Sequence, residues 1–84
     1  MRETEPIVAG WNCQCWEKGT RYYEARLHLD LWGDWILTVG WGRRGARLNQ
    51  VRDRPCASYV EGLAMLAAVG KRRAQRGYRT LAAT

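Results

Sequence analysis

The chain has 84 residues, with 14 Lys and Arg against 8 Asp and Glu, a net charge of +6 and three cysteines. That length suits one small domain with a modest core, no run approaches the roughly 18 apolar residues of a membrane span, and acidic Glu3 and Glu5 stand where a secretory signal would be basic and then apolar. A cytoplasmic, non-membrane protein is expected, and an odd cysteine count argues against a disulfide framework.

Residues 1–8 read as a flexible tail and 9–80 as a single domain. Trp11 to Trp16 alternate apolar and polar side chains as a half-buried strand does, and Glu17 to Thr20 read as a turn. In Arg21 to Leu31 the alternation is cleaner. Tyr23, Ala25, Leu27, Leu29 and Leu31 share a core face, and Tyr22, Glu24, Arg26, His28 and Asp30 a wet one. Trp32-Gly33-Asp34 is a tight connection into a third strand, Trp35 to Trp41, with Trp35, Leu37, Val39 and Trp41 on one side. Gly42 and Gly45 bracket two arginines in the next break. Arg47 to Arg52 then form a short polar strand suited to a sheet edge, and Pro55 closes the sheet.

Ser58 and Glu61 have capping-box spacing, so a helix should start there. It runs to about Arg76, with Gly77 as its left-handed stop. Its first turns are apolar nearly all round. Tyr59, Leu63, Met65, Leu66 and Val69 cannot all face one sheet, which predicts a second contact with the N-terminal segment or a partner chain. Tyr59, Met65 and Leu66 are the candidate partner interface, with a homodimer as one form it would take. Together these elements predict an α+β fold, a small antiparallel sheet of about four strands packed against one long C-terminal helix.

Charge is segregated. Residues 1–42 carry four cations and six acids, net −2, whereas residues 43–84 carry ten cations against Asp53 and Glu61, net +8. Twelve of the fourteen cations are arginine, whose planar fork suits bidentate contact with phosphate. Trp41, Gly42, Arg43, Arg44 and Arg47 lie in or beside one turn, Arg52 and Arg54 follow, and Lys71, Arg72, Arg73 and Arg76 gather at the helix end. If turn and helix end share a side of the sheet, they make one cationic surface beside an indole, suited to DNA or to RNA. No nucleophile with a base and an orienting group can be assembled, nor a phosphate-binding loop before a helix. An enzyme is not expected, and no cofactor is. A zinc site from Cys13, Cys15, Cys56 and His28 lacks the usual knuckle spacing, so no metal is expected and free thiols are the preferred reading. His28 falls on the polar face.

The order of these pieces resembles the WGR domain. The match is carried by Tyr22, Tyr23 and Leu27 in a strand, Gly33-Asp34-Trp35 in a turn, Trp41-Gly42-Arg43 with Gly45, a basic helix, and Lys71 with Gly77-Tyr78 at the close, over residues 11 to 79. The resemblance implies a small antiparallel sheet on one helix, known from DNA-damage-dependent poly(ADP-ribose) polymerases and from small bacterial proteins. It implies a domain without catalytic residues that contacts DNA ends or nicks, with Trp41 packing near the sugar-phosphate, Arg43 touching phosphate or a partner, and Gly42 permitting the turn. Arg44 departs from the family pattern, where a β-branched apolar residue is usual, and the second glycine that commonly follows is absent.

Overall fold

The structure, a computed structural model, describes residues 12–81. In chain order the elements are β1 (Asn12–Lys18), β2 (Arg21–Leu29), β3 (Trp35–Arg43), β4 (Leu48–Cys56), α1 (Tyr59–Gln75) and β5 (Arg79–Thr80). Every strand pairing is antiparallel, and the order across the sheet is β4-β3-β2-β1-β5. The first four strands therefore form a meander. After the helix the chain returns to the far edge, where Thr80 pairs with Trp16 and Arg79 with Glu17. The α+β architecture is the expected one. The expected tail, residues 1–8, lies outside the described residues, as does Trp11.

Register decides which side chains form the core. Tyr23 pairs with both Trp16 and Trp41, Leu27 pairs with Leu37, and Ala25 with Val39. Because strand side chains alternate, these residues share the face that α1 covers, and Trp16, Ala25, Leu27, Leu37, Val39, Cys56 and Leu66 form the buried cluster. Leu27 and Leu37 are wholly enclosed. Each contributes about 2 kcal/mol by leaving water.

The helix is fixed at both ends by its own sequence. Ser58 Oγ accepts from the Glu61 amide at 3.1 Å, and the Glu61 carboxylate accepts from the Ala57 amide instead of from Ser58. At the other end Gly77 has φ 86, with the Gly77 amide bonded to Ala74 O and the Tyr78 amide to Arg73 O, the paired bonds of a Schellman stop. That reversal carries Tyr78 back onto the sheet. Gly62 and Leu66 are the helix's buried residues, and a Cβ on Gly62 would lie 2.5 Å from Leu27 Cδ1. The helix backbone is seated directly on the core.

Several expectations are corrected. β1 continues to Lys18, so the β1–β2 turn is only Gly19-Thr20, with Gly19 at φ 60. β4 runs through Pro55 to Cys56 and begins at Leu48; at an open sheet edge a residue without an N–H is tolerated. β2 ends at Leu29, so Leu31 sits in the connection and not on the core face, 93% exposed. The three α1 residues expected at a partner interface turn toward the sheet. Leu66 is 3% exposed in the core, Met65 packs against it, and Tyr59 meets Trp35 at 4.8 Å and accepts from Asn12 Nδ2. Those three serve the sheet, and the outward apolar residues are Val60 and Leu63. No helix among the described residues is long and apolar enough to cross a membrane.

Candidate nucleic-acid interface

Trp41 stands where the sheet changes register. It pairs with Gln50, but Gly42 pairs with Leu48, so Asn49 is an extra residue in β4. A Cβ on Gly42 would lie 2.9 Å from Asn49 N, 3.1 Å from Arg47 O and 3.1 Å from Leu48 Cα. The glycine of Trp-Gly-Arg is thus required for close approach of two backbones. The turn itself depends on Gly45, at φ 77, inside the Arg43–Ala46 hydrogen-bonded reversal.

The helix crosses the sheet from Trp35 toward β1 and leaves the corner around Trp41 uncovered. Trp41 is half-buried, and its ring stacks on Tyr23 with centroids 5.8 Å apart and planes within 9°. Tyr78 meets Tyr23 edge-on at 6.3 Å. The Arg73 guanidinium lies 4.2 Å over Tyr23 and 5.0 Å from the Tyr78 centroid, and Arg52 lies 6.0 Å from Trp41. Arg73 Nε is buried with no hydrogen-bond partner, so cation–π contact is what holds this part of the side chain. The result is a continuous strip, Arg52, Trp41, Tyr23, Arg73 and Tyr78, in which two stacked rings lie between the arginines and a third ring follows.

Three adjoining clefts share Trp41. One, of about 490 Å³, opens between the β1–β2 and β3–β4 turns and is lined by Arg21, Arg43, Asn49 and Tyr78 among others. The second, of about 580 Å³, lies toward β4 beside Val39, Arg52 and Arg54. The third, of about 250 Å³, is a shallow depression lined by Tyr23, Trp41, Arg73 and Tyr78. Arg21 and Arg43 are direct cross-strand partners, an arrangement in which like charges repel. No carboxylate is within salt-bridge distance of either among the described residues. Asp53 borders the second cleft, but its carboxylate accepts from Thr38 Oγ1 at 2.7 Å.

Of the basic residues singled out in the sequence, Arg43, Arg52, Arg54 and Arg73 join Trp41 on this side. Arg44 does not. Its guanidinium is 2.9 Å from Glu17 Oε1 on the helix-free face, where Arg79 holds the other oxygen, and its amide donates to Thr20 O at 2.7 Å. Arg47 is exposed in the β3–β4 connection. Lys71 is two residues from Arg73, about 200° around the helix, on the outer side, and Arg72 and Arg76 are exposed; the Arg76 carbonyl accepts from Lys18 Nζ. Arg21, Tyr23 and Asn49 complete the site without having been singled out for it. Alternation alone assigned Tyr23 to the core, and only the Arg21–Arg43 register reveals the first.

The thiols are divided between the two faces of the sheet. Cys56 is in the core under α1, whereas Cys13 and Cys15 lie on the helix-free face with His28, so the four cannot share one ion. No group of three or more His, Cys, Asp or Glu among the described residues is placed to hold a metal. Burial pushes the Cys13 and Cys56 thiols up from their ordinary values. The Tyr22 hydroxyl, 3.1 Å from Cys15 Sγ and 3.0 Å from Glu24 Oε1, is raised chiefly by the thiol contact. His28 Nε2 lies 2.8 Å from Thr38 Oγ1. Because that hydroxyl donates to Asp53, the imidazole is the donor to Thr38.

Compared with family models, with curated proteins and with solved structures, the chain matches none.

Proposed function

We propose that this chain is a non-catalytic, WGR-like nucleic-acid-binding module of the cytoplasm that contacts DNA ends or nicks, with RNA as the other polymer its surface suits. The observation that carries this reading is the strip of stacked rings and arginines around Trp41. Rings accept a base or sugar, and a stacked base is worth roughly 1 to 3 kcal/mol. Arg21, Arg43, Arg52 and Arg54 around them supply phosphate contacts. Both kinds of contact are needed for a strand that is partly unstacked, as it is at an end or nick.

The test is titration of a labelled nicked or blunt duplex at several salt concentrations. Four phosphate contacts give a log–log slope of about −3.6, so affinity falls roughly 100-fold between 50 and 200 mM salt. Absence of binding at low salt overturns the proposal.

A protein-interaction or adaptor role is the second reading. Val60, 75% exposed, and Leu63 on the outer side of α1 favour it. A stable dimer dispersed by Val60→Glu, in a protein indifferent to nucleic acid, would support this role over the first.

A further inference from the structure

The connection between β2 and β3 holds two large apolar side chains in solvent. Asp30 Oδ1 accepts from the Trp32 and Asp34 amides, both at 2.9 Å. The Gly33 amide donates to Asp30 O, and the Asp30 amide to Asp34 O. Four hydrogen bonds and a glycine at φ 82 thus define the tip. Leu31 is 93% and Trp32 81% exposed, with Leu29 partly exposed beside them. Apolar surface concentrated on an ordered projection marks a contact site. Its charges are Asp30 and Asp34, with no Lys or Arg between Leu27 and Ile36, so it would repel a phosphate backbone.

The corner around Trp41 has the opposite character. Its floor is Tyr23, Val39 and Trp41, and its rim is Arg52, Arg54 and Arg73. Tip and floor lie at opposite ends of the same hairpin, eight residues or about 25 Å apart along the strands, so one chain cannot bring them together. We propose that the Leu31–Trp32 tip of one molecule docks in the arginine-rimmed aromatic basin of a second copy, head to tail. The indole meets the Trp41 and Tyr23 rings, and the two aspartates meet the rim arginines. A pair keeps one free tip on one copy and one free basin on the other, so the association is heterologous and extends with concentration. The inference stands on the complementarity of the two surfaces and not on the nucleic-acid reading, although nucleic acid on the basin would compete with it.

Sedimentation of the full chain at low salt, over rising concentration, tests this. The average mass is expected to climb, and added salt to lower it. Trp32→Ala, at an exposed position, weakens association about 30-fold, the effect of losing a central tryptophan contact. The Arg52→Glu/Arg54→Glu variant, confirmed folded by circular dichroism, is impaired likewise. An equimolar mixture of the two forms 1:1 dimers and nothing larger, because one intact tip and one intact basin remain to pair. A wild-type protein monomeric up to about 1 mM, association unchanged by Trp32→Ala, or a mixture that fails to pair would overturn the proposal. Nucleic-acid binding is unchanged in Trp32→Ala, so failure of assembly and failure of the nucleic-acid reading are separable.

Discussion

Arg44 is bound to Glu17, its Nη1 2.9 Å from the carboxylate Oε1. Glu17 is 7% exposed on the helix-free face of β1, and Arg79 of β5 holds its second oxygen. One buried carboxylate therefore ties the β3–β4 turn, β1 and β5 together. The charge that Arg44 adds to Trp-Gly-Arg-Arg is spent inside the molecule. Arg44→Gln is expected to lower thermal stability and change duplex affinity by less than about twofold, whereas Arg43→Gln, with no carboxylate to lose, reduces the salt slope by about 1. Melting curves beside binding titrations check both. An affinity loss for Arg44→Gln equal to that for Arg43→Gln would contradict this assignment.

The same carboxylate gives the fold an acid-sensitive link. The hydrogen bond from Arg79, aided by the Arg44 charge, holds Glu17 below the usual carboxylate range. A group whose folded pKa is depressed stabilises the fold above its unfolded pKa, about 4.3 for Glu, and that contribution disappears as pH falls through the folded value. Urea unfolding of wild type and Glu17→Gln should therefore differ at neutral pH, with the gap narrowing as pH falls below about 4.3 and closing only below the depressed folded value of Glu17. A constant gap across that range would show that Glu17 contributes through shape and not charge.

Much of the framework could be read from alternation. Tyr23, Ala25 and Leu27 face the helix as expected, and Ser58, Glu61 and Gly77 mark the helix ends. Features that depend on distant partners could not be read locally. β5 has two residues and exists because Gly77 turns the chain back to β1. Glu17 and Arg44 are 27 positions apart, and their pairing follows from the sheet order. The site was half legible. Trp41, Arg43, Arg52, Arg54 and Arg73 converge, but Arg21 and Tyr23 enter through cross-strand register, which no spacing along one strand reveals. Lys71 was grouped with Arg73 by proximity in sequence, and helical geometry separates them.

Two glycines should respond to alanine with opposite signs. At Gly42 the new Cβ would meet backbone atoms of Arg47, Leu48 and Asn49 between 2.9 and 3.1 Å, and backbone in a paired strand cannot yield as a side-chain tip can. Gly42→Ala is expected to destabilise by about 1 to 3 kcal/mol, as overpacking does. At Gly70, inside α1, the nearest atoms are Trp16 Cζ2 at 3.5 Å and Gln14 Oε1 at 3.8 Å, ordinary contact. Gly70→Ala should stabilise by roughly 0.5 to 1 kcal/mol through helix propensity. Chemical denaturation of both variants decides the matter, and a stable Gly42→Ala would mean that the β4 irregularity is free to move.

Trp41 and the arginines around it should fail in different ways. Because Trp41 is half-buried on Tyr23, Trp41→Ala removes an aromatic pair worth about 0.5 to 1.5 kcal/mol of stability together with the ring on which a base or sugar would lie. Duplex affinity is expected to fall by about 1 to 3 kcal/mol with the salt slope unchanged, since no phosphate contact is lost. Arg52→Gln does the reverse, lowering the slope by about 1 while leaving the Trp41–Tyr23 stack in place. Arg73→Lys distinguishes charge from planarity. It keeps the cation but removes the flat group lying 4.2 Å over Tyr23, so it should loosen the Tyr78 contact and weaken binding without altering the slope. If Trp41→Ala changes the slope as Arg52→Gln does, the ring positions phosphate contacts and does not itself receive a base or sugar.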